Sequence, residues 1–156
     1  MRTGIGYDSH RFMKGRKLML GGVEIVHEAG LAGHSDADVL LHAIMDAILG
    51  AVGLGDIGYR FPDSSEEFRD ISSLELLRRV LHLVKGDGYD VTWVDATVIC
   101  EAPRIGPHVV AMKDAMAEAG LKHVNIKGST NEGMGFIGRR EGIAAIAVAT
   151  IEHFKD

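Results

Sequence analysis

Val39-Leu40-Leu41-His42-Ala43-Ile44-Met45-Asp46-Ala47-Ile48-Leu49-Gly50-Ala51-Val52 is apolar at nearly every position, the mark of a helix buried on most sides. The pattern predicts a helix over residues 36–52, with Ser35 as N-cap and Asp38 three residues on in a capping-box-like arrangement. Its polar exceptions, His42 and Asp46 preceded by Asp38, recur every four residues and so form one narrow stripe. Unpaired polar groups on a buried helix are strongly disfavoured. Two arrangements meet that need. Either His42 pairs with a carboxylate one turn away, or it binds a metal while Asp46 or Asp38 orients the imidazole.

Working outward, residues 2–13 read as a strand that ends in the turn Lys14-Gly15-Arg16-Lys17. Leu18–Leu20 and Val23–Ile25, separated by Gly21-Gly22, suggest a hairpin. Residues 53–70 form a glycine- and acid-rich loop. A helix follows from Ser73 to Lys85, with Ser72 as N-cap, Glu75 at the third position and Gly86 as its stop. Tyr89 to Glu101 alternates as a strand, Pro107 to Ala119 reads as a helix closed by Gly120, and His123 to Ser129 reads as another strand. Ile143 to Phe154 is also expected to be a strand, with Ile146, Val148 and Thr150 on one face and Ala145, Ala147 and Ala149 on the other. One face would meet the helices, and the small apolar one could meet a neighbouring subunit.

The chain has 156 residues, the size of a single domain able to bury its own core, so one domain over 1–156 is expected. A formal charge of −5 argues against nucleic acid as a partner. No apolar run is long enough to cross a membrane, and the start shows no signal-peptide architecture. One cysteine, Cys100, excludes an internal disulfide framework and fits a reducing, cytoplasmic setting.

Asp8 and His10 lie two apart in an extended segment, so both project from one face. With a distant His42 they supply one oxygen and two nitrogens, the donor set of a zinc site whose fourth position is open. His34-Ser35 stands where the first helix begins, a place that attracts anions, although Ser35 could be only a cap and His34 a solvated loop residue. Lys127-Gly128-Ser129-Thr130-Asn131-Glu132-Gly133-Met134-Gly135-Phe136 leaves a strand rich in glycine and hydroxyls. Such a loop can cradle phosphates, with Glu132 free for a hard cation and Arg139 and Arg140 near an anion, or it can be an ordinary surface turn. It is neither a Walker loop nor a dinucleotide fingerprint.

Read together, Gly4-Ile5-Gly6-Tyr7-Asp8-Ser9-His10, Ala32-Gly33-His34-Ser35-Asp36-Ala37-Asp38 with His42, Leu54-Gly55-Asp56-Ile57-Gly58, Phe61-Pro62-Asp63, Ala102-Pro103-Arg104, Pro107-His108 and Thr130-Asn131-Glu132-Gly133-Met134-Gly135-Phe136 with Gly138-Arg139 and Glu141-Gly142 closely resemble the 2-C-methyl-D-erythritol 2,4-cyclodiphosphate synthase family. The resemblance spans essentially the whole chain, in order. It implies an α+β domain with a mixed four-stranded main sheet covered on one face by helices, the sheets packing around the axis of a homotrimer with active sites between subunits. It implies a metal-dependent phosphorus-oxygen lyase that converts 4-diphosphocytidyl-2-C-methyl-D-erythritol 2-phosphate into the cyclic diphosphate and CMP, a step of non-mevalonate isoprenoid synthesis.

By that likeness Asp8, His10 and His42 would hold zinc, and Glu132 would reach magnesium or manganese. His34 and Thr130 would stabilise the transition state. Asp8, Ser9, His10 and His34 would contact substrate, and Ser35, with Asp56, Ile57, Gly58, Phe61, Pro62, Asp63, Ser64 and Ser65, would hold the methylerythritol phosphate. Cys100, Glu101, Ala102, Pro103, Arg104, Ile105 and Gly106 would receive the cytidine nucleotide, while Ser129, Thr130, Asn131 and Glu132 would line the diphosphate. Phe136 and Arg139 would lie near the substrate and the trimer axis. Arg104 stands where the family often has lysine, and Gly106 and Asn131 replace bulkier or hydroxylated residues, which leaves every presumed metal ligand in place. A metal-dependent phosphohydrolase and a non-catalytic, trimeric isoprenoid-phosphate binder with structural zinc are the competing readings.

Overall fold

Alternation along the first strand sets the architecture, because Gly4 and Gly6 on one face are small while Ile5 and Tyr7 on the other are large. In this computed structural model, which describes residues 1–154, β1 runs Arg2–Lys14 and turns Gly4 and Gly6 to the interior and Ile5 and Tyr7 outward. β2 (Leu18–Leu20) and β3 (Val23–Ile25) form the expected hairpin, a separate two-stranded sheet. Its turn residues Gly21 and Gly22 have φ of +59° and +77°, values suited to glycine and to a tight two-residue connection. β4 (Ala29–Leu31), α1 (Val39–Val52), α2 (Ile57–Arg60), α3 (Ser73–Gly86), β5 (Tyr89–Ile99), α4 (Val109–Glu118), β6 (Val124–Ser129), α5 (Gly135–Gly138) and β7 (Gly142–His153) complete the chain, with short 3-10 turns at Glu66–Phe68 and Gly106–His108.

The main sheet has five strands in the order β4-β1-β7-β5-β6, antiparallel throughout except for the parallel pair β5–β6. Four had been expected. The fifth is β4, which pairs Ala29, Gly30 and Leu31 with the far end of β1 at Lys14, Met13 and Phe12. Three residues are too few to show an alternation in the sequence.

α1 covers β1 and β7, α3 packs on α1 and β5, and α4 rests against β6 and β3. The approach of α1 is unusually close. A Cβ on Gly4 would stand 2.1 Å from the Ala47 carbonyl oxygen, and one on Gly6 would stand 1.9 Å from that of Ala43. Ala145, Ala147 and Ala149 of β7 continue this floor beneath the helix and are fully buried. The small face of β7 therefore meets α1, not a neighbouring subunit as expected. The outward face is the larger one: Ile5 (71% exposed), Tyr7, Trp93 (50%), Ile146 and Val148 lie open together.

Helix starts also differ from expectation. α1 begins at Val39 because Ala37 is left-handed (φ +56°) and Asp38, not Ser35, caps the helix by accepting the Leu41 N–H. Ser72 flanks α3 without a side-chain capping bond, and α3 runs one residue further, through Gly86. The Pro107 helix starts as a 3-10 turn before becoming α4. The expected 53–70 loop contains α2 and a second 3-10 turn.

Candidate metal centre

The glycine floor brings His42 down onto β1. Asp8 and His10 follow Gly4 and Gly6 on the same face of the strand, and His42 sits on the turn of α1 just above them. Asp8 Oδ2 lies 3.0 Å from His10 Nε2 and 3.1 Å from His42 Nδ1, and the two nitrogens are 3.1 Å apart. The three donor atoms thus form a nearly equilateral triangle. A tetrahedral ion with bonds of about 2.0–2.1 Å would space its ligand atoms by about 3.3 Å. One oxygen and two imidazole nitrogens at this spacing fit such an ion, with the fourth direction facing the cavity.

Burial pushes the Asp8 carboxyl up, but hydrogen bonds and positive charge from His10 and His42 outweigh it and hold the group at about 2. For His42, burial disfavours the imidazolium, yet the bond to Asp8 and the charges of Asp8, Asp38 and Asp36 raise its pKa above the ordinary histidine value. The far nitrogen, Nε2, meets Ser73 Oγ at 3.1 Å and Ser35 Oγ at 3.2 Å. Asp36 accepts both the Ser73 backbone N–H (2.9 Å) and the Ser73 hydroxyl (2.5 Å).

The polar stripe on α1 is real, and His42 joins a potential metal-binding group as expected, but neither Asp38 nor Asp46 is the partner of its imidazole. Asp38 does not orient His42: its carboxylate accepts the Gly21, Gly22 and Leu41 N–H groups and ties the hairpin to the helix start. Burial, with the nearby Asp36 charge, raises the Asp38 pKa against those bonds. Asp46 accepts the Ile57 N–H at 2.8 Å and so anchors α2, whose N-cap is Asp56. Nor is His34-Ser35 at the helix N-terminus, since Asp38 already occupies that end.

Asp8, His10, His42, His34, Ser35, Ile57, Gly58, Phe61 and Asp63 line one cavity, with Phe68, Ile71 and Leu76 as apolar wall. Arg16 fixes its rim by donating to the Gly33 and Ser35 carbonyls on either side of His34. Ser9 alternates to the opposite face of β1 and is exposed. Cys100, Glu101, Pro103, Arg104, Ile105, Gly106, Ser129 and Thr130 line a second cavity, separate from the first. Thr130 donates to Glu132 at 3.0 Å, and Glu101 accepts the Asn131 N–H at 2.8 Å, which shapes the 130–133 turn. Phe136 lies on α5, and Arg139 pairs with Glu141 at 3.2 Å; neither lines the two cavities. His34 and Thr130 therefore stand in different cavities of one chain. Burial, aided by Glu101, pushes the Cys100 thiol up to about 11, so it is no ready nucleophile.

Two residues with a part in this geometry lacked any sequence signal: Ser73 is 31 positions from His42 and Arg16 is 17 from Gly33. Asp46 was marked by the polar stripe, but its partner Ile57, 11 positions on, was not. Asp36 stood within a recognised motif but had no assigned contact.

A family model described as the YgbB family matches residues 1–152. A curated relative from Syntrophus aciditrophicus (strain SB), 2-C-methyl-D-erythritol 2,4-cyclodiphosphate synthase, is 53% identical with both chains fully covered. Among solved structures, the bifunctional IspDF of Campylobacter jejuni matches 99% of this chain at 39% identity and a TM-score of 0.93; the chain spans 42% of that longer protein. A CDP-bound 2C-methyl-D-erythritol-2,4-cyclodiphosphate synthase matches 97% of this chain and all of its own, at 34% identity and a TM-score of 0.87.

Proposed function

The chain belongs to the YgbB family, and from that premise we propose that it catalyses the reaction its relatives are named for. It cyclises 4-diphosphocytidyl-2-C-methyl-D-erythritol 2-phosphate to 2-C-methyl-D-erythritol 2,4-cyclodiphosphate and releases CMP, in the non-mevalonate isoprenoid pathway. The substrate's 2-phosphate attacks its own β-phosphorus as the bond to the CMP oxygen breaks. No protein nucleophile is required, and Cys100 in the second cavity is held as a neutral thiol.

The observation that carries this reading is the Asp8–His10–His42 triangle opening into a cavity rimmed by His34 and Ser35. Zinc in the triangle, and magnesium or manganese at Glu132, would supply charge neutralisation and polarise phosphoryl oxygens. The protein's own task is positioning. Arg16 pins the carbonyls on either side of His34 and so fixes the backbone that carries this imidazole at the cavity, where it would meet an anionic group of the substrate. Asp46 holds the start of α2 so that the Ile57–Gly58 backbone faces the methylerythritol phosphate, between Phe61 and Asp63. The Cys100–Gly106 segment offers backbone groups to the cytidine, and the Thr130 hydroxyl, bonded to Glu132 in the free protein, would turn to the diphosphate when Glu132 takes its cation.

Because those two sets of residues lie in different cavities of one chain, they complete each other only across a subunit boundary. The open apolar face around Ile5, Tyr7, Trp93, Ile146 and Val148 supports packing of copies about a common axis as a homotrimer. The expected setting is the cytoplasm. The reading is tested by incubating metal-replete protein with the cytidylyl substrate. Cyclic diphosphate and CMP in equal amounts are expected; inorganic phosphate from the 2-position would make it a phosphohydrolase, and no turnover would leave only binding.

A further inference from the structure

A metal-binding histidine presents its lone pair to the ion only if the other ring nitrogen carries the proton, and some group must enforce that choice. Here the group stands on a different helix. Ser73, the first residue of α3, is fully buried, and its Oγ lies 3.1 Å from His42 Nε2. A hydroxyl has one proton to give. That of Ser73 goes to Asp36 Oδ1 at 2.5 Å, and the same carboxylate also accepts the Ser73 backbone N–H at 2.9 Å, so the serine is gripped twice. Asp36 is held in turn by the Asp38 N–H. With its proton committed, Ser73 Oγ can only accept from Nε2.

We propose that Ser73, locked by the Asp36 carboxylate, is a positioning residue for the metal: it keeps a proton of His42 on Nε2, so that Nδ1, which donates to Asp8 in the metal-free protein, is the nitrogen that gives up its proton and presents a lone pair to the ion. The inference rests on the metal reading of the triangle and deepens it. It couples the start of α3, far away in sequence, to the ion. Among the described residues Ser35 Oγ is the one competing partner, at 3.2 Å from Nε2. It accepts the Ala37 N–H and keeps its own proton, which could be donated to Nε2 and would select the opposite tautomer.

Two measurements decide between them. Nitrogen NMR of zinc-loaded, histidine-labelled wild type is expected to show His42 protonated at Nε2 and metal-bound through Nδ1; an unprotonated Nε2 would overturn the proposal without any mutant. Zinc affinity by chelator competition is expected to fall about 10–100-fold in Ser73→Ala and to stay within about threefold of wild type in Ser73→Thr, which keeps the hydroxyl. Thermal unfolding of the metal-free variants separates weakened binding from lost structure. Unchanged affinity in a folded Ser73→Ala sinks this proposal alone. Failure of the wild type to bind zinc sinks the metal reading as well.

Discussion

At the scale of single residues, the centre is governed by how Asp8 and His42 share protons. In the metal-free protein the Asp8 carboxyl sits at about 2, below the ordinary aspartate value, so the folded state binds its proton less tightly than the unfolded chain does. Its contribution, on the order of 2 kcal/mol, is present above about pH 4 and is lost as pH falls through about 2. Acid unfolding of metal-free Asp8→Asn should lack that component. His42 is shifted the other way, above 6.5. Its pairing stabilises the metal-free fold at low pH and fades as pH rises through the raised pKa. An ion needs Nδ1 free of its proton, so zinc affinity should already weaken on acidification at pH values above 6.5. Chelator competition across pH 6–9 measures this, and a flat profile would contradict it. Replacing His42 by alanine should abolish stoichiometric zinc and cut turnover at least about a hundredfold, while circular dichroism stays that of the folded protein. Gross unfolding would mean a structural ion.

The elements matter chiefly through one contact, α1 on β1. Glycine at positions 4 and 6 removes the side chains that would otherwise hold the helix away, and that close approach is what lets His42 reach Asp8 and His10. In Gly6→Ala the new methyl would meet the Ala43 backbone carbonyl at 1.9 Å, with no flexible side chain to give way. The variant should lose about 1–3 kcal/mol of stability, read as a lowered midpoint in thermal denaturation. It should also bind zinc more weakly, because the helix must lift. A variant with wild-type melting and wild-type affinity would show that the contact is not what sets the site.

For the whole molecule, the sheet has one face under helices and one face open. On the open face aromatic and branched side chains lie where a solitary sheet would carry polar ones. Sedimentation should find trimers, and a charge placed at its centre, as in Val148→Asp, should disperse them into folded monomers. Turnover should fall with assembly, since the cavity of His34 and that of Thr130 would no longer meet. Active monomers would refute an intersubunit site.

Much of this protein is legible in the chain itself. The continuous apolar run of α1 announces a buried helix, and the Asp-x-His spacing places two ligands on one face because a strand alternates with period two. The alternation of β7 likewise reads correctly as a strand. These are local properties, carried by neighbours in sequence. What only the tertiary structure decided are the pairings across distance. β4 joins the sheet through three residues that carry no pattern. The alanine face of β7 turns inward because Gly4 and Gly6 admit a helix there, and Asp38 serves the hairpin rather than the imidazole. Ser73, from another helix, meets His42 through a hydrogen bond that no spacing could foretell. A side chain's partner is set by which surfaces fold together, and periodicity encodes a surface but not what covers it.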